Sequence, residues 1–422
     1  MIISYKEELN IKLTLKEIDK LISKDIIQRI DKSPFFNDEP KFPLYVVKIK
    51  DIKRLTDGDN PDPTVSGLSV YDEKAKIKSI GEAVERFCLA IYKRKELKFG
   101  CFKDIPNAVN PNIFLGISNS DISNENFFWS KVKLLNNNKT YFIPSQLIYV
   151  PYVYKNEKII QLSTSTGTAC GTSLYFALYR ALCELVERET FMIYYLNRLP
   201  PYKIKKKSLP EKINNVLDIL KRYRLETHCF YLKSDIELPI FLTIIIDRTG
   251  HGPSVALGLK AGYDLEETLL GSIEEAQQSR PWLRSYVYRK GCNPRFPIKD
   301  ILDRGLFWYP LKMIKKINFF LNTKRRTDLD EISSFNQKKL CVEKLLKQLK
   351  NKNIHIYFKD LTNVKLNGTV FKVVKVISPE IQPMYFDEEF KIFTKRIFEV
   401  PQYLGFPEKN ISQLNNIPHP FL

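Results

Sequence analysis

The sequence predicts a mixed α/β (α+β) fold in which helices cover β-sheets, and three observations support this prediction. Segments with apolar residues at helical spacing alternate along the 422 residues with short runs that are typical of strands. With 44% hydrophobic and 27% charged residues, the composition is that of a globular protein. No low-complexity linker divides the chain, which is long enough to bury a large core.

The first part of the chain is predicted to combine a helical segment with a strand. Residues 1–32 carry Leu, Ile, Lys and Glu at helical spacing, and the prolines that follow, Pro34, Pro40 and Pro43, end that pattern. A strand is expected over residues 44–49. Residues 57–63, which are rich in Asp, Gly and Pro, are expected to form a loop.

The later elements alternate between strands and helices. An amphipathic helix is expected over residues 340–349, and strands are expected over residues 141–144, 147–150, 239–247, 256–261, 354–358 and 370–377. The small residues of 163–173 predict a loop that leads into a helix. Its backbone N–H groups can approach an anion there, and an ordinary N-capping loop is an equally good interpretation.

Three predicted helices carry related acidic motifs. The pattern Glu-x-x-Glu-Arg ends at Arg86 and again at Arg188, and Glu-x-x-Gln-x-Arg ends at Arg280. The first helix is expected over about residues 73–95 and the third over residues 265–280. Acids three residues apart share one helix face, beside the apolar stripe.

Such a motif, taken singly, is usually a solvated face with ion pairs between neighbouring turns. Its recurrence favours another interpretation, in which three helices bring carboxylate and amide oxygens to one divalent cation. The adjoining Arg86, Arg188 and Arg280 are suited to hold phosphate oxygens. The sequence contains no GxxxxGK[ST] or GxGxxG string, so we expect a magnesium–nucleotide site without a P-loop.

The composition argues against several other classes of protein. The seven cysteines form no CxxC pair, and the four histidines lack metal-ligand spacing, which disfavours a zinc site or a disulfide framework. No segment has the length and purity of a membrane span or a signal peptide, so a cytoplasmic protein without a membrane partner is expected. The net charge of +19 is spread thinly. Its densest runs, residues 203–207 and 324–326, lack interleaved aromatics, and nucleic acid is not an expected partner.

A series of motifs in this order resembles the YcaO family, specifically the azoline-forming cyclodehydratases (D-proteins) that modify ribosomally made peptides. The family elements SxxxExxER, STNGLAAGNT…ElxERD and EAxQxR align with residues 78–86, 163–189 and 275–280. Its DLT, PGLQP, VPxxLG and PHPFP elements align with residues 358–362, 378–383, 398–405 and 418–422. The resemblance covers roughly residues 28–422. It implies an entry segment, residues 1–60, and a YcaO catalytic domain, residues 61–422, with a proline-containing tail.

By resemblance, ATP and Mg²⁺ are the expected cofactors. The implied metal ligands are Glu82, Glu85, Glu184 and Glu187. These acids also belong to the implied nucleotide pocket, whose other members are Arg86, Ser165, Thr172, Arg188, Glu275, Gln278 and Arg280. In the implied reaction, a Cys, Ser or Thr side chain adds to the preceding amide carbonyl and ATP phosphorylates the resulting oxygen. Phosphate then departs in place of hydroxide, and a thiazoline or (methyl)oxazoline ring remains.

The resemblance also implies a catalytic tail and several partners. The terminal carboxylate of Leu422 is expected to act as a base, and His419 is either a second group for proton transfer or a structural residue. The expected partners are a precursor peptide and an E1-like protein that delivers its leader in trans. A flavin dehydrogenase of the same pathway and a homo-oligomer are further options.

Several positions depart from the family pattern, and one departure is the stretch Gly67-Leu68-Ser69, where the family has GKG. Lys78 stands where the family has Ser, Thr166 and Thr172 stand where Asn is usual, and Phe176 stands where Glu is common. These departures keep two alternatives open: a degenerate scaffold subunit that does not turn over ATP, and a related ATP-dependent thioamidation or amidine synthesis. The four central glutamates are present, so an active cyclodehydratase is the expectation.

Overall fold

The computed structural model describes residues 15–335 and 341–422, which form three β-sheets with helices between them. The helices are α1 (Ile18–Ser23), α2 (Asp72–Leu89), α3 (Leu174–Asn197), α4 (Glu211–Arg222), α5 (Leu265–Lys290), α6 (Ile301–Trp308), α7 (Asn318–Leu321), α8 (Val342–Asn351) and α9 (Arg396–Tyr403). This architecture agrees with the predicted mixed α/β class. Within the described ranges, no helix is long and apolar enough to cross a bilayer.

The strands belong to three sheets. They are β1 (Ile27–Lys32), β2 (Leu44–Ile49), β3 (Thr64–Leu68), β4 (Lys98–Gly100), β5 (Phe127–Leu134), β6 (Lys139–Pro144), β7 (Thr168–Gly171), β8 (Tyr202–Ile204), β9 (Leu225–Tyr231), β10 (Ile240–Asp247), β11 (Val255–Ala261), β12 (Arg326–Thr327), β13 (Tyr357–Asp360) and β14 (Lys372–Ile377). The sheet orders are β1-β2-β3, β11-β10-β9-β8-β12 and β4-β5-β13-β14-β7, with β6 also paired to β5.

Each of the three acidic helices lies between two sheets. Helix α2 packs on β2 and β3 and also on β7 of the six-stranded sheet. Helix α3 connects that sheet, through β7 and β14, to β11 of the five-stranded sheet. Helix α5 packs on β10 and β11 and reaches β3. The three helices therefore link the three sheets in a closed circuit, and this arrangement brings their acidic motifs together.

Local sequence explains where the second and third acidic helices begin and end. Ser173 caps α3 by accepting a hydrogen bond from the N–H of Phe176, and Asp264 caps α5 in the same way. Helix α3 is followed by Arg198 in the left-handed conformation, and α5 is followed by Gly291. Because α3 is apolar on most of its surface, it is stable only when it is buried between sheets.

Most predicted elements are present. Strands β2, β6, β10, β11 and β14 confirm the expectations for residues 44–49, 141–144, 239–247, 256–261 and 370–377. Helix α8 confirms the amphipathic helix, and its last residue, Asn351, lies two residues beyond the predicted end. Residues 336–340, where that prediction began, lie outside the described residues. The strand expected over residues 354–358 begins three residues later, as β13.

Several boundaries differ from the predictions. Residues 145–147 form a 3-10 turn after Pro144 in place of the strand expected over residues 147–150. Part of the predicted 163–173 loop is strand β7, because β14 provides it with a pairing partner. Helix α2 ends at Leu89 rather than at residue 95. Helix α5 continues past Pro281 because Leu283, further along it, is buried in the fold.

Tertiary pairing also overrides the helical pattern near the start of the chain. Residues 27–32 form β1, an edge strand paired with β2, although their apolar spacing predicted a helix. The expected helix over residues 1–14 lies outside the described residues. Strand β2 pairs with β3, so one sheet joins both sides of the expected boundary at residue 60. The basic runs 203–207 and 324–326 overlap the paired strands β8 and β12.

Candidate nucleotide site

Two of the predicted acidic motifs contain internal ion pairs. In α2, Arg86 contacts the carboxylate of Glu82 at 2.6 Å, and in α3, Arg188 contacts that of Glu184 at 2.9 Å. These are the pairs between adjacent turns that a solvated acidic face also forms. Here they are partly buried, with side-chain exposures between 14% and 34%. The pairs hold both glutamates and both arginines close to one shared region.

The carboxylates of Glu187 and Glu275 are anchored on the same strand. Glu187, on α3, accepts a hydrogen bond of 2.6 Å from the N–H of Ala261, and Glu275, on α5, accepts one of 2.8 Å from the N–H of Leu259. These two residues of β11 are two positions apart, so their N–H groups are near neighbours along the strand. One strand therefore places an acid from α3 beside an acid from α5.

The electrostatic coupling shows that all three helices meet. Burial raises the pKa of Glu187 to about 7 against the charge of Lys260, and the charges of Glu275 and Glu184 contribute to this rise. Burial also raises the pKa of Glu85 well above its ordinary value, with contributions from Glu82 and Glu184. Acids from α2, α3 and α5 thus occupy one poorly solvated cluster, which we call the acidic cluster: Glu82, Glu85, Glu184, Glu187 and Glu275.

Arg188 connects the acidic cluster to the segment before β7. One of its terminal nitrogens lies on Glu184, and the other donates a 2.8 Å hydrogen bond to the hydroxyl of Thr166. Its Nε is buried and has no hydrogen-bond partner among the residues that the structure describes. An unpaired buried donor is costly, and an acceptor such as a phosphate oxygen would satisfy it.

Lys375 is a cation of the site that the sequence analysis missed. It projects from β14, and its Nζ donates to the backbone oxygens of Thr164 and Thr166, at 2.8 and 2.7 Å. Burial lowers its pKa to about 7, against the attraction of Glu184 and Glu85. The signal in the sequence was a lone lysine inside the apolar run Val373 to Ile377.

A required glycine shapes the same segment. Gly167 has φ of +77°, and a Cβ at that position would lie 2.4 Å from the carbonyl oxygen of Val376. The 163–173 stretch therefore runs closely along β14. Ser165 accepts a hydrogen bond from the N–H of Thr168 through its backbone oxygen, and Thr172 lies between β7 and α3. Their expected contacts with nucleotide stay predictions.

The third motif divides between two roles. Gln278 donates to the backbone oxygen of Ser66 at 3.0 Å, which ties α5 to β3. Arg280 is fully buried and makes ion pairs with Glu39 at 2.9 Å and Asp247 at 2.7 Å. The expected contact of Arg280 with phosphate is not what this structure shows, because two carboxylates already neutralise its guanidinium inside the core.

Two of the departures from the family pattern have structural explanations. The ammonium of Lys78 pairs with the buried carboxylate of Glu274 and donates to the backbone oxygen of Leu68 at 3.2 Å, so it cross-links α2, α5 and β3. Phe176 packs against the main hydrophobic core, close to Gly171. Lys78 thus has a partner within the protein.

The tail returns to the acidic cluster. The ring of Phe421 is buried, and the Arg188 guanidinium lies 5.6 Å from its centroid. The Nε2 of His419 donates to the backbone oxygen of Tyr385 at 2.7 Å, and burial together with Arg304 holds the pKa of His419 well below its ordinary value. A buried, neutral and bonded imidazole fits the structural alternative better than proton transfer. The role of the Leu422 carboxylate as a base stays a prediction.

The predicted metal ligands share the acidic cluster without forming a finished coordination shell. Among the residues that the structure describes, no three or more His, Cys, Asp or Glu side chains are grouped closely enough to hold a metal ion. Glu82 and Glu184 face their arginines, and Glu187 faces a backbone N–H. The assignment of Glu82, Glu85, Glu184 and Glu187 as ligands therefore stays a prediction that requires small side-chain rotations.

Comparison with known proteins identifies the family. The family model described as YcaO cyclodehydratase, ATP- and Mg²⁺-binding, matches residues 66–382, about three quarters of the sequence. The chain belongs to the YcaO family. ATP and Mg²⁺ are accordingly its cofactors, and the expectation from the sequence motifs is confirmed. No curated protein matches the sequence.

Several solved structures share the fold. A heterocyclase in complex with substrate and cofactor has a TM-score of 0.78 and 18% identity, over 99% of this chain and 57% of that one. YcaO from Methanopyrus kandleri, bound with AMPPCP and Mg²⁺, has a TM-score of 0.69 and 15% identity, over 93% and 95% of the two chains. The E. coli microcin synthetase McbBCD complex has a TM-score of 0.61 and 17% identity, over 83% of this chain and 87% of that one. The chain spans just over half of that first heterocyclase.

The acidic cluster fits a magnesium-bound nucleotide. Carboxylates whose pKa values are raised by burial and by one another gain from a divalent cation, which removes the repulsion between them. The unpaired Nε of Arg188 needs an acceptor at the same place. A metal with an anionic ligand therefore satisfies both groups, and neither would be satisfied by an apolar ligand.

Proposed function

We propose that this YcaO protein is the ATP-dependent cyclodehydratase subunit that converts Cys, Ser or Thr of a ribosomal precursor peptide to thiazoline or (methyl)oxazoline. The observation that carries the proposal is the meeting of α2, α3 and α5 in one poorly solvated acidic cluster, beside which Arg86 and Arg188 lie. Water removal from an amide needs a better leaving group than hydroxide. Bound ATP supplies it by phosphorylating the amide-derived oxygen.

The protein residues in this proposal bind Mg²⁺, orient the phosphate groups and neutralise their charge. Glu82, Glu85, Glu184 and Glu187 hold Mg²⁺ after their carboxylates turn from their present partners. Arg188 directs its unpaired Nε–H to a phosphate oxygen while Thr166 fixes the other end of the guanidinium. These contacts oppose negative charge where it develops, in a region that excludes most water.

The proposed substrate and partners rest on the resemblance and on the related structures. One related heterocyclase was solved with its substrate, and the McbBCD complex was also solved with pro-MccB17 bound, at 18% identity to this chain. By analogy, a precursor peptide and an E1-like partner that delivers its leader are proposed here. A flavin dehydrogenase and a homo-oligomer remain proposals that rest on the pathway type alone.

The function is tested by two measurements on the same reaction. The protein is mixed with ATP, Mg²⁺, a Cys-containing precursor from its own gene neighbourhood and the neighbouring E1-like protein. We expect Mg²⁺-dependent ATP consumption and the loss of one water per ring by mass spectrometry. Absence of ATP consumption in the complete mixture contradicts the enzyme and favours the scaffold alternative. Exchange of an amide oxygen for sulfur without water loss favours thioamidation. Formation of an amidine in the product favours amidine synthesis.

A further inference from the structure

A cavity adjoins the acidic cluster on the side of β14. It opens to solvent at its mouth. Two of its lining residues also belong to the nucleotide site. Thr166 accepts a hydrogen bond from Arg188, and the ammonium of Lys375 is attracted by Glu184 and Glu85. The cavity therefore adjoins the acidic cluster, and Thr166 and Lys375 lie at the boundary between them.

The walls of this cavity are mainly apolar. They include Phe114, Leu147, Leu185, Ile377, Ile381 and Ile392. These side chains come from α3, from β14 and from segments that are far apart in the sequence. Ile392 is 8% exposed and belongs to a segment outside the helices and strands. A cavity with such walls gains free energy when an apolar group displaces its water.

Two polar lining residues of the cavity, Gln382 and Lys375, already have partners within the protein. The amide nitrogen of Gln382 donates to the backbone oxygens of Pro383 and Ile392, and its oxygen accepts from the N–H of Thr394. The ammonium of Lys375 is bonded to two backbone oxygens. A polar guest would compete with these bonds, whereas an apolar guest leaves them intact. The lining therefore favours an apolar guest.

We propose that this cavity binds the apolar side chain of the substrate residue that precedes the cyclised Cys, Ser or Thr. The inference rests on the proposed function and names a specificity subsite for it. The oxygen to be phosphorylated belongs to the carbonyl of that preceding residue and must lie at the acidic cluster. The side chain of the same residue is attached one carbon away from the carbonyl. With the carbonyl at the cluster, this side chain is placed to enter the adjoining cavity past Thr166 and Lys375.

Peptide binding tests the subsite without requiring turnover. Two acetylated tetrapeptide amides, Ala-Leu-Cys-Ala and Ala-Gly-Cys-Ala, are titrated calorimetrically into the full chain with Mg²⁺ and a non-hydrolysable ATP analogue. We expect the leucine peptide to bind about tenfold more tightly, because it buries a whole apolar side chain. Ile392→Trp fills the cavity and is expected to remove the preference. Ile22→Trp, at a side chain that is 41% exposed on α1, is expected to keep it.

A second variant guards against loss of folding in the tryptophan variant. Ile392→Ala enlarges the cavity and is expected to bind Ala-Phe-Cys-Ala at least threefold more tightly than the wild type does. Equal affinities of the leucine and glycine peptides for the wild type, or binding of neither peptide, overturn the subsite. Preservation of the preference in folded Ile392→Trp overturns it as well. Loss of the proposed function is scored separately, as absence of Mg²⁺-dependent ATP consumption in the complete reaction mixture.

Discussion

Replacing Glu187 by Gln is expected to abolish ATP turnover and, at the same time, to change how the stability of the protein depends on pH. The substitution removes one negative charge from the acidic cluster and changes little volume. The N–H of Ala261 keeps an acceptor, because the glutamine oxygen can take the place of the carboxylate oxygen. Loss of turnover follows from loss of a proposed metal ligand. Changed pH dependence follows from loss of a buried acid that titrates near neutrality.

The magnitude follows from the pKa of Glu187, which is raised from 4.5 to about 7. Between these two values the folded protein holds a proton that the unfolded chain has released, so stability falls as pH rises. At about 1.4 kcal/mol per pH unit, wild type is expected to lose about 2–3 kcal/mol relative to Glu187→Gln between pH 5 and pH 8. Lys375 shifts stability in the opposite direction near pH 7, but it is present in both proteins and largely cancels.

The assay is urea denaturation of both proteins at pH 5, 6, 7 and 8 without nucleotide, followed by ATP consumption with Mg²⁺ at pH 8. Glu408→Gln, at an exposed glutamate of the surface, is the matched control and is expected to follow the wild type in both measurements. Parallel stability profiles for wild type and Glu187→Gln would show that Glu187 does not titrate as a buried acid. Retained turnover in Glu187→Gln would remove this residue from the metal site.

Two further predictions concern the framework around the site. Glu39→Gln removes one of the two carboxylates that neutralise buried Arg280, so urea denaturation is expected to show that the free energy of unfolding falls by about 2–4 kcal/mol. A fall of less than about 0.5 kcal/mol contradicts the buried ion-pair network. Gly167→Ala forces a Cβ to within 2.4 Å of the Val376 carbonyl oxygen at a positive φ. The melting temperature is therefore expected to drop by several degrees, and the KM for ATP is expected to rise. If neither value changes, this backbone geometry is contradicted.

Local patterns were sufficient to predict much of the fold and part of the site. The apolar run of β10 lies within one segment of the sequence, and so does the helical periodicity of each of α2, α3 and α5. These elements can therefore be predicted from the sequence alone. The repeated Glu-x-x-Glu-Arg motif predicted that these helices share a cation site. The structure brings the acidic residues of the three helices together, so that their charges influence one another, and the cation site itself stays a prediction. Repetition of a motif carried this information even though its single occurrence is uninformative.

Contacts between distant segments decided the rest. Whether Arg280 faces phosphate or the core depends on Glu39 and Asp247, which are 241 and 33 residues away in the sequence. Lys375 lies in an apolar strand, and only the approach of the 163–173 stretch supplies the carbonyls that hold it at the acidic cluster.

By itself, then, the sequence determined the elements, the family motifs and the kind of ligand, because periodicity and motif spacing are local properties of the chain. The tertiary structure alone decided which charged side chains serve the site and which serve the core. The energy of a charge depends on its partners and on its burial, and both are set by segments that meet only in the folded protein.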